Sequence, residues 1–326
     1  MSGSMTAEAS APASPAARGV GGGGGPTRPP ASASRSRRSR REGRDPGLLA
    51  LPAFLWFLVF LVGPLISVFY LSLTDATTLI APMEFSGFGN FVAMFTDPTF
   101  WIALRNTAVQ VVVVVPLMVV GGFMIGYYLM LRPPLAGVLR VLFFTSALLS
   151  VSAKAMIFYA VLQPNGLLNQ TLEAVGLGSL TTTWLANSDT ALPVIMAIDL
   201  WSGIGFLGIL FAAQLTSVSG EVLEAARIDG CGHWRTMWHI AFGMVRGFVG
   251  VVAMLQFLWT LFLSATTVLL LTKGGPGTSS TTLSYLLFAK AFQQNDIGYS
   301  QAVGVVLFVV GVGGAVAIRA ALRSRA

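Results

Sequence analysis

Past residue 46 the chain alternates long apolar stretches with short polar interruptions. Six stretches stand out: Leu48–Leu73, Ala103–Leu131, Val138–Leu162, Ala191–Ala213, Gly247–Leu271 and Tyr299–Ala321. Each is near or above the roughly 20 residues a helix needs to cross a bilayer. In hydrocarbon every backbone polar group needs an internal partner, which a helix supplies within one segment. The stretches lack the period-2 alternation of a barrel strand. The pattern therefore predicts an all-α polytopic membrane protein with six transmembrane helices. Several carry breakers. Pro52 and Pro64 flank the first. Pro116, Gly121, Gly122 and Gly126 sit in the second, where they bend it or permit close packing. Gly304, Gly311 and Ala315 form a small-residue stripe on the last, suited to packing inside the bundle.

Composition sharpens this. Hydrophobic residues make up 54% of the 326 and charged residues 10%, against about 25% charged in an ordinary soluble chain. Eleven of the 33 charged residues fall in the first 46, eight of them Arg. The remainder cannot cover a soluble surface, which excludes a soluble enzyme. The single cysteine, Cys231, excludes a disulfide scaffold. The net charge of +7 rests mostly on the eight Arg of the tail and gives no expectation of nucleic acid. Residues 1–46 are low complexity, with Gly21 to Gly25 and an Arg cluster from Arg35 to Arg44, and read as a disordered tail. The apolar run after them is too long and too late for a secretory signal. Residues 47–326 then form the transmembrane domain.

The distribution of Lys and Arg sets the orientation. The tail is Arg-rich, and loops 74–102 and 163–190 have neither residue. Arg132 lies in the second loop and Arg140 just beyond it. Arg227, Arg235 and Arg246 belong to the fourth loop, and Arg319, Arg323 and Arg325 to the C-terminus. Both termini are expected on the cytoplasmic side of a bacterial inner membrane. The tail would there serve as a topology anchor or meet anionic lipid headgroups. Lys273 and Lys290 go against the rule, on the outer side.

The fourth loop differs from the rest. Residues 216–245 are polar enough to leave the membrane yet patterned as helix. Ser219 suits a helix cap and Glu221 the first turn. Glu221, Glu224 and Ala225 share a face, Ala225 and Ala226 make a small flat patch, and Asp229 with Gly230 ends the helix. A second short amphipathic helix with Trp234, Met237, Trp238 and Phe242 follows. The hairpin either displays acids and small side chains to a partner or lies at headgroup level on its tryptophans.

The text Glu224-Ala225-Ala226, three residues, Gly230, nine residues, Ile240-Ala241-Phe242-Gly243 resembles the EAA loop of permease subunits in binding-protein-dependent ABC importers. The family has Leu and Pro where Phe242 and Gly243 stand, so a helix-stopping proline is missing. Further motifs are similar to those of the carbohydrate-importer subfamily: Phe88-Gly89-Asn90-Phe91, Asn106-Thr107, Gln163 to Asn169, Trp201, Ala213-Gln214-Leu215, Thr272 to Pro276, and Thr281-Thr282. In that order they look like the first permease of maltose, lactose and glycerol-3-phosphate systems. The resemblance implies a type I importer bundle with a cytoplasmic coupling helix. It also implies a second permease, two ATPase subunits and an outer solute-binding protein, with a sugar, polyol or glycerol-phosphate ester as solute. Coupling to the ATPase would fall to Glu221, Glu224, Ala225, Ala226, Asp229, Gly230 and Ile240.

The lysines fit a subunit without its own ATPase site. Lys154, Lys273 and Lys290 follow Ala153, Thr272 and Ala289, so none completes the Gly-Lys-[Ser/Thr] of a phosphate-cradling loop. ATP and Mg would belong to the partners, and the chain itself needs no cofactor. His233 and His239 are awkwardly spaced for one helical metal site. Arg105, Lys154 and Asp199 are ionisable groups within or beside spans. Arg105 can snorkel from a membrane end. Lys154 and Asp199 either pair to hold the bundle or line the solute path with Trp201 and Gln256. Two alternatives stand beside a carbohydrate permease. One is an ABC permease for another solute. The other is a proton-coupled secondary transporter carrying its proton on Asp199, which would leave the EAA loop unexplained.

Overall fold

The computed structural model describes residues 46–78, 83–217 and 220–322, with backbone alone at 46–49 and 227. The tail, the Ser219 cap and Arg323 and Arg325 lie outside the described residues. The chain divides at Pro52 into two units. Of the first, residues 46–52 open helix α1 (Pro46–Phe57). The second, Ala53–Ala326, carries the other elements. A π-helical turn at Leu58–Val62 leads into α2 (Gly63–Leu71). Then come α3 (Gly89–Thr96), α4 (Pro98–Met130), α5 (Ala136–Leu148), α6 (Val151–Val161), α7 (Leu167–Ala174) and α8 (Ala191–Leu215). Next are α9 (Gly220–Ile228), α10 (His233–Arg235), a π segment Thr236–Ala241, α11 (Phe242–Leu271), α12 (Leu283–Phe292) and α13 (Ile297–Leu322).

Five helices are long and apolar enough to cross a membrane, and the third expected span becomes a bent pair. Val138–Leu162 is not one rod: α5 and α6 meet at 99°. Leu149 and Ser150 adopt extended backbone (ψ 132° and 151°). The Ser150 hydroxyl then accepts from the Ala153 amide at 3.1 Å and caps the restarted helix. A serine in an apolar run thus gives α6 its first-turn partner and lets the span break within the bundle. The region after α11, read as a loop, holds α12, a ten-residue helix with Leu283 and Leu286 buried. At about 1.5 Å per residue it is too short to span.

The most extensive helix contact is α4 with α8. Glycine makes it possible. A Cβ on Gly126 would sit 2.5 Å from the Phe211 Cβ and 2.9 Å from the Ala212 amide nitrogen. One on Gly122 would sit 2.7 Å from the Leu207 Cβ. Between apolar helices in lipid, such close van der Waals packing carries the association. Phe123 and Phe211, fully buried, meet edge to face at 5.8 Å in this seam.

On the side of the bundle holding the α4 N-terminus, the motif asparagines act as clamps. Asn90 donates to the carbonyls of Ser72 (2.9 Å) and Thr74 (2.7 Å). Asn106 donates to those of Ser279 and Thr281, each at 2.9 Å, and the Thr107 hydroxyl accepts from the Leu283 amide at 2.9 Å. Asn169 holds the carbonyls of Pro164 and Thr182 at 3.0 Å and accepts from the Trp184 indole at 2.8 Å. Buried loop backbone therefore finds side-chain partners. Asp97 caps α4 through the Thr99 amide at 2.8 Å and accepts from the Tyr299 hydroxyl at 2.9 Å. Lys290 lies 4.0 Å from the Asp97 carboxylate and 4.3 Å from the Tyr299 ring centroid. This Lys, anomalous by the charge rule, has its charge met locally.

Two outcomes are expected. Gly126→Val should cost about 1–3 kcal/mol, as overpacking does. Gly137→Ala, whose Cβ would have nothing within 4 Å, should not. Melting of the purified proteins in detergent compares them. Burial raises the Asp97 pKa, but bonds from the Thr99 amide, the Tyr299 hydroxyl and the Thr99 hydroxyl, with the Lys290 charge, outweigh it and hold the carboxyl below its ordinary value. A folded pKa below the unfolded one, about 3.9, stabilises at neutral pH. That contribution fades as pH falls through the folded value. Asp97→Asn should thus melt lower than wild type at pH 7 and lose less stability on acidification below about pH 4.

Candidate functional site

The expected hairpin is present as α9 and the start of a much longer helix. Gly230 adopts a left-handed φ of +73°, and the Cys231 amide bonds the Ala226 carbonyl at 2.9 Å. This is the six-to-one bond of a Schellman cap, and it explains the glycine six positions after Glu224. Glu221, Glu224, Ala225 and Asp229 are exposed, and Ile228 is 86% exposed. Ala226 corrects the expectation of a two-alanine patch. It is only 4% exposed, so of the two alanines Ala225 alone lies at the surface. The spacing that puts Glu221, Glu224 and Ala225 outward turns the next position inward.

The second short helix also needs correction. From His233 the chain runs as one helical stretch of 39 residues to Leu271, passing through the π segment. With Gly243 in place of a proline, nothing stops it. Met237 is buried, and Trp238 packs on Phe123 at 5.5 Å and Phe242 at 5.7 Å. Only Trp234, 66% exposed, fits a headgroup-level role. Ile240 is half-buried.

The same long helix forms one wall of a cavity of about 540 Å³ within the membrane-spanning part. Its lining from α11 includes Gln256, Trp259, Thr260, Leu263, Ser264 and Thr267, all on one face by three- and four-residue steps. From α8 come Asp199, Ser202 and Phe206, and from the broken span Ala147, Val151 and Lys154. Lys154, Asp199 and Gln256 therefore meet, as candidates for one path would. Trp201 does not join them. It stacks edge-on against Phe158 at 5.2 Å and lies outside the lining. One position on a helix separates it from Ser202, and 100° of rotation moves it to another face.

Lys154 and Asp199 share the cavity without forming an ion pair. Among the described residues the one pair within 4.0 Å is Lys290 with Asp97. Lys154 donates to the Ser202 hydroxyl. Asp199 accepts from the Gln110 amide at 2.9 Å and from the Thr267 hydroxyl at 3.5 Å, tying α8 to α4 and α11. Arg105 is exposed near the start of α4.

Residues 118–324 match the family of binding-protein-dependent transport system inner membrane components. The chain belongs to that family. The permease is 32% identical over 270 residues to the "Probable ABC transporter permease protein YurN" of Bacillus subtilis, covering 81% of this chain and 91% of that one. It is 31% identical over 272 residues to the diacetylchitobiose uptake system permease protein NgcF of Streptomyces coelicolor, covering 78% and 75%. Its fold is that of a chain in the crystal structure of a bacterial alginate ABC transporter in complex with an alginate pentasaccharide-bound periplasmic protein. The TM-score there is 0.72 at 20% identity, over 85% of this permease and 93% of that chain.

Sequence reasoning missed Gln110, Ser202, Trp259 and the hydroxyl row Thr260, Ser264 and Thr267. The row was available as polar positions recurring at helical spacing in an otherwise apolar run. Gln110 was not, because its partner lies 89 positions away. Gly230→Val forces a β-branched residue into the left-handed region, at a cost of roughly 1–2 kcal/mol. Backbone amides of 220–231 in the purified permease should then exchange hydrogen faster, whereas Gly232→Val, at an ordinary φ of −67°, should leave them unchanged.

Proposed function

We propose that this permease is the membrane-spanning half of an ATP-driven carbohydrate importer. In this reading a second permease completes the path, two ATPase subunits supply the work with ATP and Mg, and an outer binding protein delivers the solute. The permease itself hydrolyses no ATP. The hairpin and both termini face the cytoplasm, in keeping with the arginine distribution. The diacetylchitobiose relative and the alginate transporter with its loaded periplasmic protein support a sugar and a solute-binding partner.

The observation that carries this reading is the continuity of His233–Leu271. At about 1.5 Å per residue its 39 residues extend roughly 58 Å. One end closes the acidic hairpin, and the far part carries the hydroxyl row of the cavity. A load applied at Glu221, Glu224 and Ala225 therefore reaches the cavity wall through an unbroken helix. The cavity switches between inner and outer access as the ATPases close, a two-state rocking of rigid elements. Exposed Leu255 and Leu263 on α11 give the second permease an apolar face to cover.

Purification from mild detergent should recover an ATPase and a second permease with this chain. Recovery of the chain alone, as a homo-oligomer transporting without ATP, overturns the proposal. Ala225→Trp should reduce ATP-driven uptake at least tenfold while the chain still inserts and melts normally. Ala226→Trp is the wrong probe, since that side chain faces the protein's own interior.

A further inference from the structure

The cavity holds two opposite charges that are kept apart. Lys154 has three donors, and the structure gives one partner, the Ser202 hydroxyl. Asp199 has about four acceptor sites, of which Gln110 and Thr267 use two. Every other lining side chain is uncharged. This chain thus contributes one positive and one negative group to the same space, each steadied by neutral partners from a different helix. Near them stand Gln256, which donates to the Thr260 hydroxyl at 3.3 Å, and the ring faces of Trp259 and Phe206, 65% and 39% exposed.

Building on the importer reading, we propose that Lys154 and Asp199 are specificity-determining residues that select an uncharged, polyhydroxylated solute over an acidic one. A hydroxyl group both donates and accepts, so neighbouring hydroxyls of one sugar can take a bond from Lys154 and give one to Asp199. The apolar face of the ring then rests on Trp259. A uronate gains at Lys154 but brings its charge beside Asp199, whose carboxylate is fixed from two sides. In a medium of low effective dielectric that repulsion is strong. Rejection by a fixed like charge is one way to discriminate solutes of the same shape. The balance also explains why the two groups are not joined: a direct pair would spend the donors and acceptors that a sugar needs.

The test uses the permease–ATPase complex purified without its binding protein, so that selection is the cavity's own. Cellobiose and its uronate are the probes, and half-saturation is read by ligand-observed NMR. Wild type should favour cellobiose by at least tenfold. Asp199→Asn should reverse the preference. Gln256→Lys adds a positive charge while leaving the bonds of Asp199 intact, and should shift selection the same way even where Asp199→Asn fails to fold. Lys154→Gln should weaken both sugars. Equal binding of the two sugars by wild type, or a Gln256→Lys complex with unchanged preference, overturns the proposal. Absence of binding by either sugar overturns it too, and ATPase subunits present in that same preparation would show that the importer reading stands independently.

Discussion

The architecture rests on how closely α4 and α8 approach. Lipid chains are as apolar as leucine, so burying apolar side chains gives these helices little reason to associate. Contact between bare backbones does, and glycines at 122, 126 and 208 remove the atoms that would prevent it. Once the seam is closed, Gln110 on α4 comes within 2.9 Å of Asp199 on α8. A carboxylate that would be expensive in hydrocarbon acquires its donors there. Its helix then turns Ser202 and Phe206 away from the seam, toward the cavity.

A second dependence links the two functional regions. The break at Leu149–Ser150 and the unbroken run His233–Leu271 are opposite solutions within one bundle. The break lets α6 carry Lys154 to the cavity at a 99° bend, with a serine hydroxyl serving the freed amide. The unbroken run joins the end of the hairpin to the hydroxyl row within one helical stretch. The bend and the continuity each sit where a particular residue permits them: the Ser150 cap in the first case, and Gly243, which continues the helix, in the second.

The clamps near the α4 N-terminus give the motifs a structural meaning. Asn90, Asn106, Thr107 and Asn169 hold loop carbonyls and amides in place rather than facing the cavity. Loops that pack against helices at a membrane surface have backbone groups to satisfy, and amide side chains supply the partners. These four motif residues therefore serve the architecture, and the polar groups that line the cavity lie elsewhere, on α6, α8 and α11.

Hydrophobic run length and the placement of arginine determined the number of spans and the expected orientation. The spacing from Glu224 to Gly230 determined the hairpin, because a helix face and a left-handed cap are local properties of consecutive residues. The tertiary structure decided which way each helix faces. Ala226 turned inward, Trp201 left the cavity, and Lys154 and Asp199 came to share a space without pairing. An almost uniformly apolar helix has no polar face to fix its rotation. Its orientation is set by the neighbour it packs against, and that information lies in residues many positions away, such as Gly126 for Phe211 and Gln110 for Asp199.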